Sequence, residues 1–349
     1  MYVYTKVMGL RLICIITFCF FLFSCSSVIL PEPDKVSVPG SKTEERLLAQ
    51  GLNYYKQGEF SIALEKSQAV LTLNPDNVEA MYAMAASYLA LGEFKKSLEY
   101  SRLAAAYASL HRPDIYLLMG SAYERLDDPW NALRTYRFAA SEYPENSKIH
   151  YHLAKTYVYL NKLEFAAESF KAAIRADSRN VAAHFELGVL YYEHDYTTPA
   201  LLSLSAVLLM DPKKGLVTSV QEYISDLLAR KELNIIDADE GDFQSVDAAL
   251  IASRSSLYNS GKHSAFDIFK AQYQALYAAL NAEIIKEQKN IFVIDSYVPL
   301  FNKIYLQGLA ETSVYYIFQE NEDKKIANWL DKHPGKVKQL EQLVKNRVW

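Results

Sequence analysis

The residues of this chain whose types and spacing could do chemistry are a set of histidines, one acidic run and three cysteines. His150, His152 and His184 are the candidates for a metal. The first two lie two positions apart, which on a helix turns them to different faces, and no Cys or His-Glu-x-x-His pair joins them. They read as packed or exposed imidazoles. Residues 237–242, Asp-Ala-Asp-Glu-Gly-Asp, have the acidity of a calcium loop. Such a loop needs Gly at its sixth position and Glu at its twelfth, and counting from Asp237 those positions hold Asp242 and Ala248. A solvated loop is expected instead. No GxSxG, Walker, dinucleotide-binding or CxxC motif occurs, and no spacing ties a Ser or Asp to a general base. The expectation is therefore no catalytic residue, no metal and no cofactor.

The cysteines carry a different chemistry. Cys14, Cys19 and Cys25 all lie in the first 25 residues, which excludes a disulfide scaffold. Lys6 and Arg11 precede an uncharged apolar run over residues 12–23, shorter than the roughly 20 apolar residues that a spanning helix needs. The run ends in Leu22-Phe23-Ser24-Cys25. A small residue before a Cys at that point resembles the bacterial lipobox, with Phe23 departing from the usual small or aliphatic residue. The resemblance implies cleavage before Cys25 and a diacylglyceryl group on its sulfur. Residues 1–24 then form a lipoprotein signal peptide; an uncleaved N-terminal anchor is the alternative, and Met8 is a second candidate start. Residues 25–43, with Pro31, Pro33, Pro39 and Gly40, read as a flexible tether.

The elements that would position any functional surface follow from the rest of the composition. The 349 residues include only 12 Gly and 11 Pro but 26 Tyr, and half are hydrophobic, which favours a folded helical chain. The net charge of −4 is spread so that neither the first part nor the last third is basic, and no nucleic-acid partner is expected.

From Glu44 the chain is periodic. Tyr54, Tyr88, Tyr123, Tyr157 and Tyr191 are separated by 34, 35, 34 and 34 residues. Gly51, Ala85, Gly120, Ala154 and Gly188 keep the same register, as do Ala63, Ala132, Ala166 and Ala200, with Pro75, Pro144 and Pro212 at closing turns. This pattern resembles the tetratricopeptide (TPR) repeat. It covers residues 44–214 as five units, 44–77, 78–112, 113–146, 147–180 and 181–214. The resemblance implies an all-α fold, a right-handed superhelix of about five helical hairpins followed by an α-helical C-terminal region. Leu47, Met81, Tyr116, His150 and His184 stand where the family has a tryptophan.

In that family a concave groove is lined from the first helix of each hairpin. By register, the partner-binding residues here are Leu48, Leu52, Tyr55, Tyr82, Leu117, Arg125, Tyr151, Lys155, Tyr159, Phe185 and Tyr192. The carboxylate clamp of some relatives is missing, since Leu48 and Leu52 occupy its first two places. An apolar and aromatic surface of this kind suits a helix or an extended peptide; packing between repeats is the alternative for any single residue. Leu340, Leu343, Val344 and Trp349 form a stripe that could cover the groove from within the chain.

Residues 215–349 stay helical in pattern without the strict period. A degenerate hairpin is expected near 247–282, with Ser264 and Asp267 resembling a capping box and Phe266, Phe269, Tyr273, Leu276, Leu280 and Ile284 forming a stripe. Residues 297–318 read as two helices around Gly308, with Trp329 and Trp349 docking the last two. The reading as a whole is a lipid-anchored scaffold or adaptor of the bacterial cell envelope, on the periplasmic side of the outer membrane, binding protein or peptide partners without catalysis. The alternative is an envelope enzyme in the C-terminal third, with the repeats recruiting its substrate.

Overall fold

The 34-residue period of the tyrosines is also the period of the backbone turns. In the computed structural model, which describes residues 33–36, 40–211, 215–230, 241–260, 263–282, 285, 287–320 and 323–346, φ is positive at Gly58, Gly92, Asp127, Asn161 and Asp195. Each of these follows the first helix of a hairpin. The next residue's N–H returns to the carbonyl of Tyr54, Tyr88, Tyr123, Tyr157 or Tyr191, at 2.8–3.0 Å. A helix end leaves its last carbonyls without partners, and a left-handed residue bends the chain so that one of them is satisfied. Gly, Asn and Asp are the residues that adopt that conformation most readily.

The fold is all-α and built of helical hairpins. α1 (Lys42–Lys56) pairs with α2 (Phe60–Leu73), α3 (Val78–Ala90) with α4 (Phe94–Ala105), and α5 (Arg112–Arg125) precedes α6 (Pro129–Glu142). Then α7 (Ser147–Tyr159) pairs with α8 (Leu163–Ala176) and α9 (Val181–Glu193) with α10 (Thr197–Met210). The chain divides into two compact units, the first ending at Phe138 and the second beginning at Ala139, inside α6.

The first unit starts with a departure from the expected tether. Lys35–Val36 (β1) pairs in parallel with Tyr107–Ala108 (β2). The Lys35 N–H donates to the Ala106 carbonyl at 3.2 Å and its ammonium lies 5.2 Å from the Tyr107 ring centre. Part of the tether is thus docked, because the α4–α5 connection offers unpaired backbone and an aromatic face. The expected signal peptide and Cys25 lie outside the described residues. α1 opens two residues before the expected boundary, on a capping box between Ser41 and Glu44. Glu44 also receives the amides of Asn74 and Asn77 at 3.0 and 2.9 Å, which holds its carboxyl down at about 2. The same device returns in the second unit, where the Asn180 amide donates to Ser147 Oγ at 2.8 Å. Asn77 and Asn180 also cap α3 and α9, so one residue both starts a hairpin and ties it to the previous one.

In the second unit the repeats continue into α11 (Val217–Ala229), α12 (Gln244–Ser260), α13 (Ala265–Leu280), α14 (Phe292–Ser296), α15 (Val298–Leu306), α16 (Ala310–Ile317), α17 (Lys324–Lys332) and α18 (Pro334–Lys345). α12 and α13 pack on each other, and Ser264 and Asp267 form a capping box. α15 and α16 close with the repeat turn itself: Gly308 has φ 69° and the Leu309 N–H returns to Ile304 at 2.9 Å.

The core of this unit is α10. Its sequence, Thr-Thr-Pro-Ala-Leu-Leu-Ser-Leu-Ser-Ala-Val-Leu-Leu-Met, has no polar face, and residues 198–209 are all buried. A helix apolar all round has to be enclosed. α9, α11, α12, α16 and α18 all contact it. Leu340 and Val344 of α18 are buried on this core. Trp329 stacks on Tyr315 at 4.2 Å and on His333 at 4.0 Å, while Trp349 lies outside the described residues.

Candidate partner-binding surface

In the first unit the first helices of successive hairpins touch one another, α1 with α3 and α3 with α5. The register places Leu48, Leu52, Tyr55, Tyr82, Leu117 and Arg125 on them. Leu52 is 55% exposed; Leu48, Tyr55, Tyr82 and Leu117 are half-buried and Arg125 is exposed. Tyr55 meets Phe60 edge-on at 5.2 Å, and Tyr82 lies flat on the His111 ring at 5.4 Å. Burial first, then the nearby Asp114 charge, raises the Tyr82 hydroxyl's pKa. Arg125 places its guanidinium 4.9 Å from the Phe94 ring centre.

In the second unit Tyr151 is half-buried against His152 and Phe170, and Tyr159 is 67% exposed. Lys155 and Glu186 form an ion pair at 2.6 Å that links α7 to α9. Phe185 and Tyr192 share a partner absent from the expected set. Tyr223 of α11 stands 6.4 Å from Phe185 and 4.8 Å from Tyr192. The Tyr192 hydroxyl donates to Asp226 at 3.0 Å, and Arg230 covers its ring at 4.7 Å while pairing with Asp195 at 2.9 Å. α11 therefore takes the place of a sixth first helix. The signal for it was available, since Tyr223 stands two 34-residue periods after Lys155.

The histidines are occupied separately. His150 Nε2 bonds the Pro144 carbonyl at 2.8 Å. His184 is fully buried: Nε2 donates to the Ser178 carbonyl at 3.1 Å and Nδ1 accepts from the Tyr297 hydroxyl at 2.8 Å. Burial pushes its pKa down to about 4, so the ring is neutral at pH 7. His184 occupies the expected tryptophan slot and uses it to hold the C-terminal region. Among the described residues no group of three His, Cys, Asp or Glu could hold a metal ion, and no helix is long and apolar enough to cross a membrane. Asp237–Glu240 of the acidic run lie outside the described residues; Asp242 exchanges backbone hydrogen bonds with the Gln288 side chain at 2.8 and 3.0 Å.

These features define a helical-repeat protein with an apolar and aromatic surface on the first helix of each hairpin. Residues 48–111 match the tetratricopeptide repeat family and residues 154–195 match the related TPR repeat family, so the chain carries tetratricopeptide repeats. It is similar to tetratricopeptide repeat protein 8 of Caenorhabditis elegans, 28% identical over 116 residues, 31% of this chain and 21% of that protein. The matched part is thus about a fifth of that relative's length. Among solved structures, a TPR protein of Thermus thermophilus covers 54% of this chain and 100% of its own, at 22% identity and a TM-score of 0.43. PilF of Pseudomonas aeruginosa covers 54% and 89%, at 19% identity and 0.44. YrrB, a TPR protein with an unusual peptide-binding site, covers 50% and 90%, at 18% identity and 0.40.

Proposed function

We propose that this protein is a lipid-anchored adaptor of a bacterial cell envelope, facing the periplasm from the outer membrane, whose repeats bind a protein or peptide partner. TPR repeats are protein-interaction scaffolds, and one observation carries the reading to this chain. In the first unit the first-helix register leaves Leu52 largely exposed along with half-buried Tyr82 and Leu117, and in the second it leaves Tyr159 largely exposed along with half-buried Tyr151, large apolar side chains that a soluble surface does not need. The anchor rests on Ser24-Cys25 at the end of the apolar run.

The test is photocrosslinking in the native envelope from position 52 or 159, with partner bands identified by mass spectrometry. Tyr151→Ala with Tyr159→Ala should abolish the crosslinked partner while helical content is kept and melting falls by only a few degrees, the contact of half-buried Tyr151 with Phe170 being what is lost. Phe185 is left intact because it packs on Tyr223. In parallel, Cys25→Ala should abolish palmitate labelling and signal cleavage. Retained crosslinking in the tyrosine double variant sinks the groove; retained palmitate in the cysteine variant sinks the anchor.

A further inference from the structure

The first unit holds a cleft of about 690 Å³ between α4, the connection from α2 to α3, and the β1–β2 pair. None of the register-derived groove residues lines it. Its floor is apolar, with Met81 and Leu98 buried and Leu103 49% exposed. Three cations, Lys35, Lys95 and Arg102, stand around it. Against them are two carboxylates, Asp76 and Glu99; Asp76 accepts from the Tyr107 hydroxyl and Arg102 donates to the Tyr123 hydroxyl, and neither bond removes a charge. The cleft therefore has an excess of positive charge over an apolar floor. One wall is extended backbone, where Lys35–Val36 pairs along Tyr107–Ala108.

We propose that this cleft is a second binding site, independent of the groove, that takes an extended peptide with carboxylate side chains next to apolar ones. The carboxylates would pair with Lys35 and Lys95, which are exposed and can reach a ligand without rearranging the core. The apolar side chains would cover Leu103 and the edge of Leu98. An extended ligand exposes side chains alternately to both sides, so it can serve floor and rim together. Ion pairs at a rim of this kind weaken as salt rises.

Fluorescence polarisation on the full chain in detergent tests this, with a fluorescein-labelled Leu-Glu-Val-Glu-Leu peptide and its Leu-Lys-Val-Lys-Leu counterpart as probes. The acidic probe should bind, more weakly at higher salt, and the basic one should not. Lys35→Glu with Lys95→Glu should weaken the acidic probe by about tenfold or more, with melting little changed because both side chains are exposed and only the Lys35 contact with the Tyr107 ring is lost. Tyr151→Ala with Tyr159→Ala should leave it intact, which separates this site from the groove. Equal binding of both probes, or no effect of the lysine reversals, overturns the proposal. So does binding that emerges only when residues 28–32, Val-Ile-Leu-Pro-Glu, are replaced by Gly and Ser, which would assign the cleft to the chain's own upstream segment.

Discussion

Two glycines at the same register position behave differently because of what faces them. A Cβ on Gly120 would lie 2.3 Å from the ring of Tyr136, which is fully buried. A Cβ on Gly51 would meet its nearest neighbour, Lys66 Cβ, at 3.4 Å, an ordinary contact. Gly120→Ala should therefore cost about 3 kcal/mol, at the upper end of overpacking penalties. Gly51→Ala should gain about 0.5–1 kcal/mol from the lost helix-interior glycine. Urea denaturation of both variants checks the pair, and equal effects would mean that the register does not fix the packing. His184 shows the same dependence on surroundings: the slot is one the family fills with indole, yet here two hydrogen bonds to Ser178 and Tyr297 make it a buried polar anchor.

At the scale of the element, the hairpin turn is the repeated unit. Five turns with a left-handed residue recur with the sequence period, and a sixth at Gly308 lies outside it. A Cβ on Gly58 or Gly308 would meet nothing within 4 Å, so an alanine at either position is opposed by the backbone conformation alone. Gly58→Ala and Gly308→Ala should each cost about 1 kcal/mol. Chemical denaturation monitored by circular dichroism measures both; a silent Gly308→Ala would show that the α15–α16 hairpin is held by its surroundings and not by its turn. α11 is the other informative element. Its Tyr223, Asp226 and Arg230 engage Phe185 and Tyr192, so the last hairpin's surface is completed by a helix beyond the fifth repeat.

At the scale of the molecule, the second unit is knit around α10 by polar contacts far apart in sequence. Ser205 meets the Tyr273 hydroxyl at 2.7 Å, Tyr277 meets Ser313 at 2.6 Å, and Thr198 donates to the buried Asp247. Two buried groups of this unit, His184 and Asp247, make stability depend on pH in opposite senses. The His184 pKa falls from 6.5 to about 4 on folding, so between those values the unfolded chain binds the extra proton and acid destabilises the fold, by about 3 kcal/mol in all. Burial raises Asp247 from 3.8 to about 6, so the folded chain binds the extra proton there and the same acidification favours the fold. Asp247→Asn keeps an acceptor for Thr198 and removes the opposing titration. Its melting temperature should therefore fall more steeply than that of the unmodified chain between pH 6.5 and 4. Parallel curves would mean that burial does not hold the Asp247 carboxyl up as described.

The sequence by itself determined the class and the period of five hairpins over 44–214. Repetition writes the same local chemistry five times, with Tyr two residues before a helix end and a Gly, Asn or Asp ready for left-handed backbone. It also marked the two helices around Gly308 and the Ser264–Asp267 cap, because caps and turns are local. What only the tertiary structure decided is where unrepeated surfaces go. The apolar Leu340–Val344 stripe could have covered any exposed face, and it lies on α10 because that helix has no polar side of its own. Likewise Lys35–Val36 carries no strand signal strong enough to stand alone; it docks because Ala106 and Tyr107 present backbone and ring at the right place. Residues as far apart as His184 and Tyr297, 113 positions, meet through shape and polar groups that need partners, and neither is written in a period.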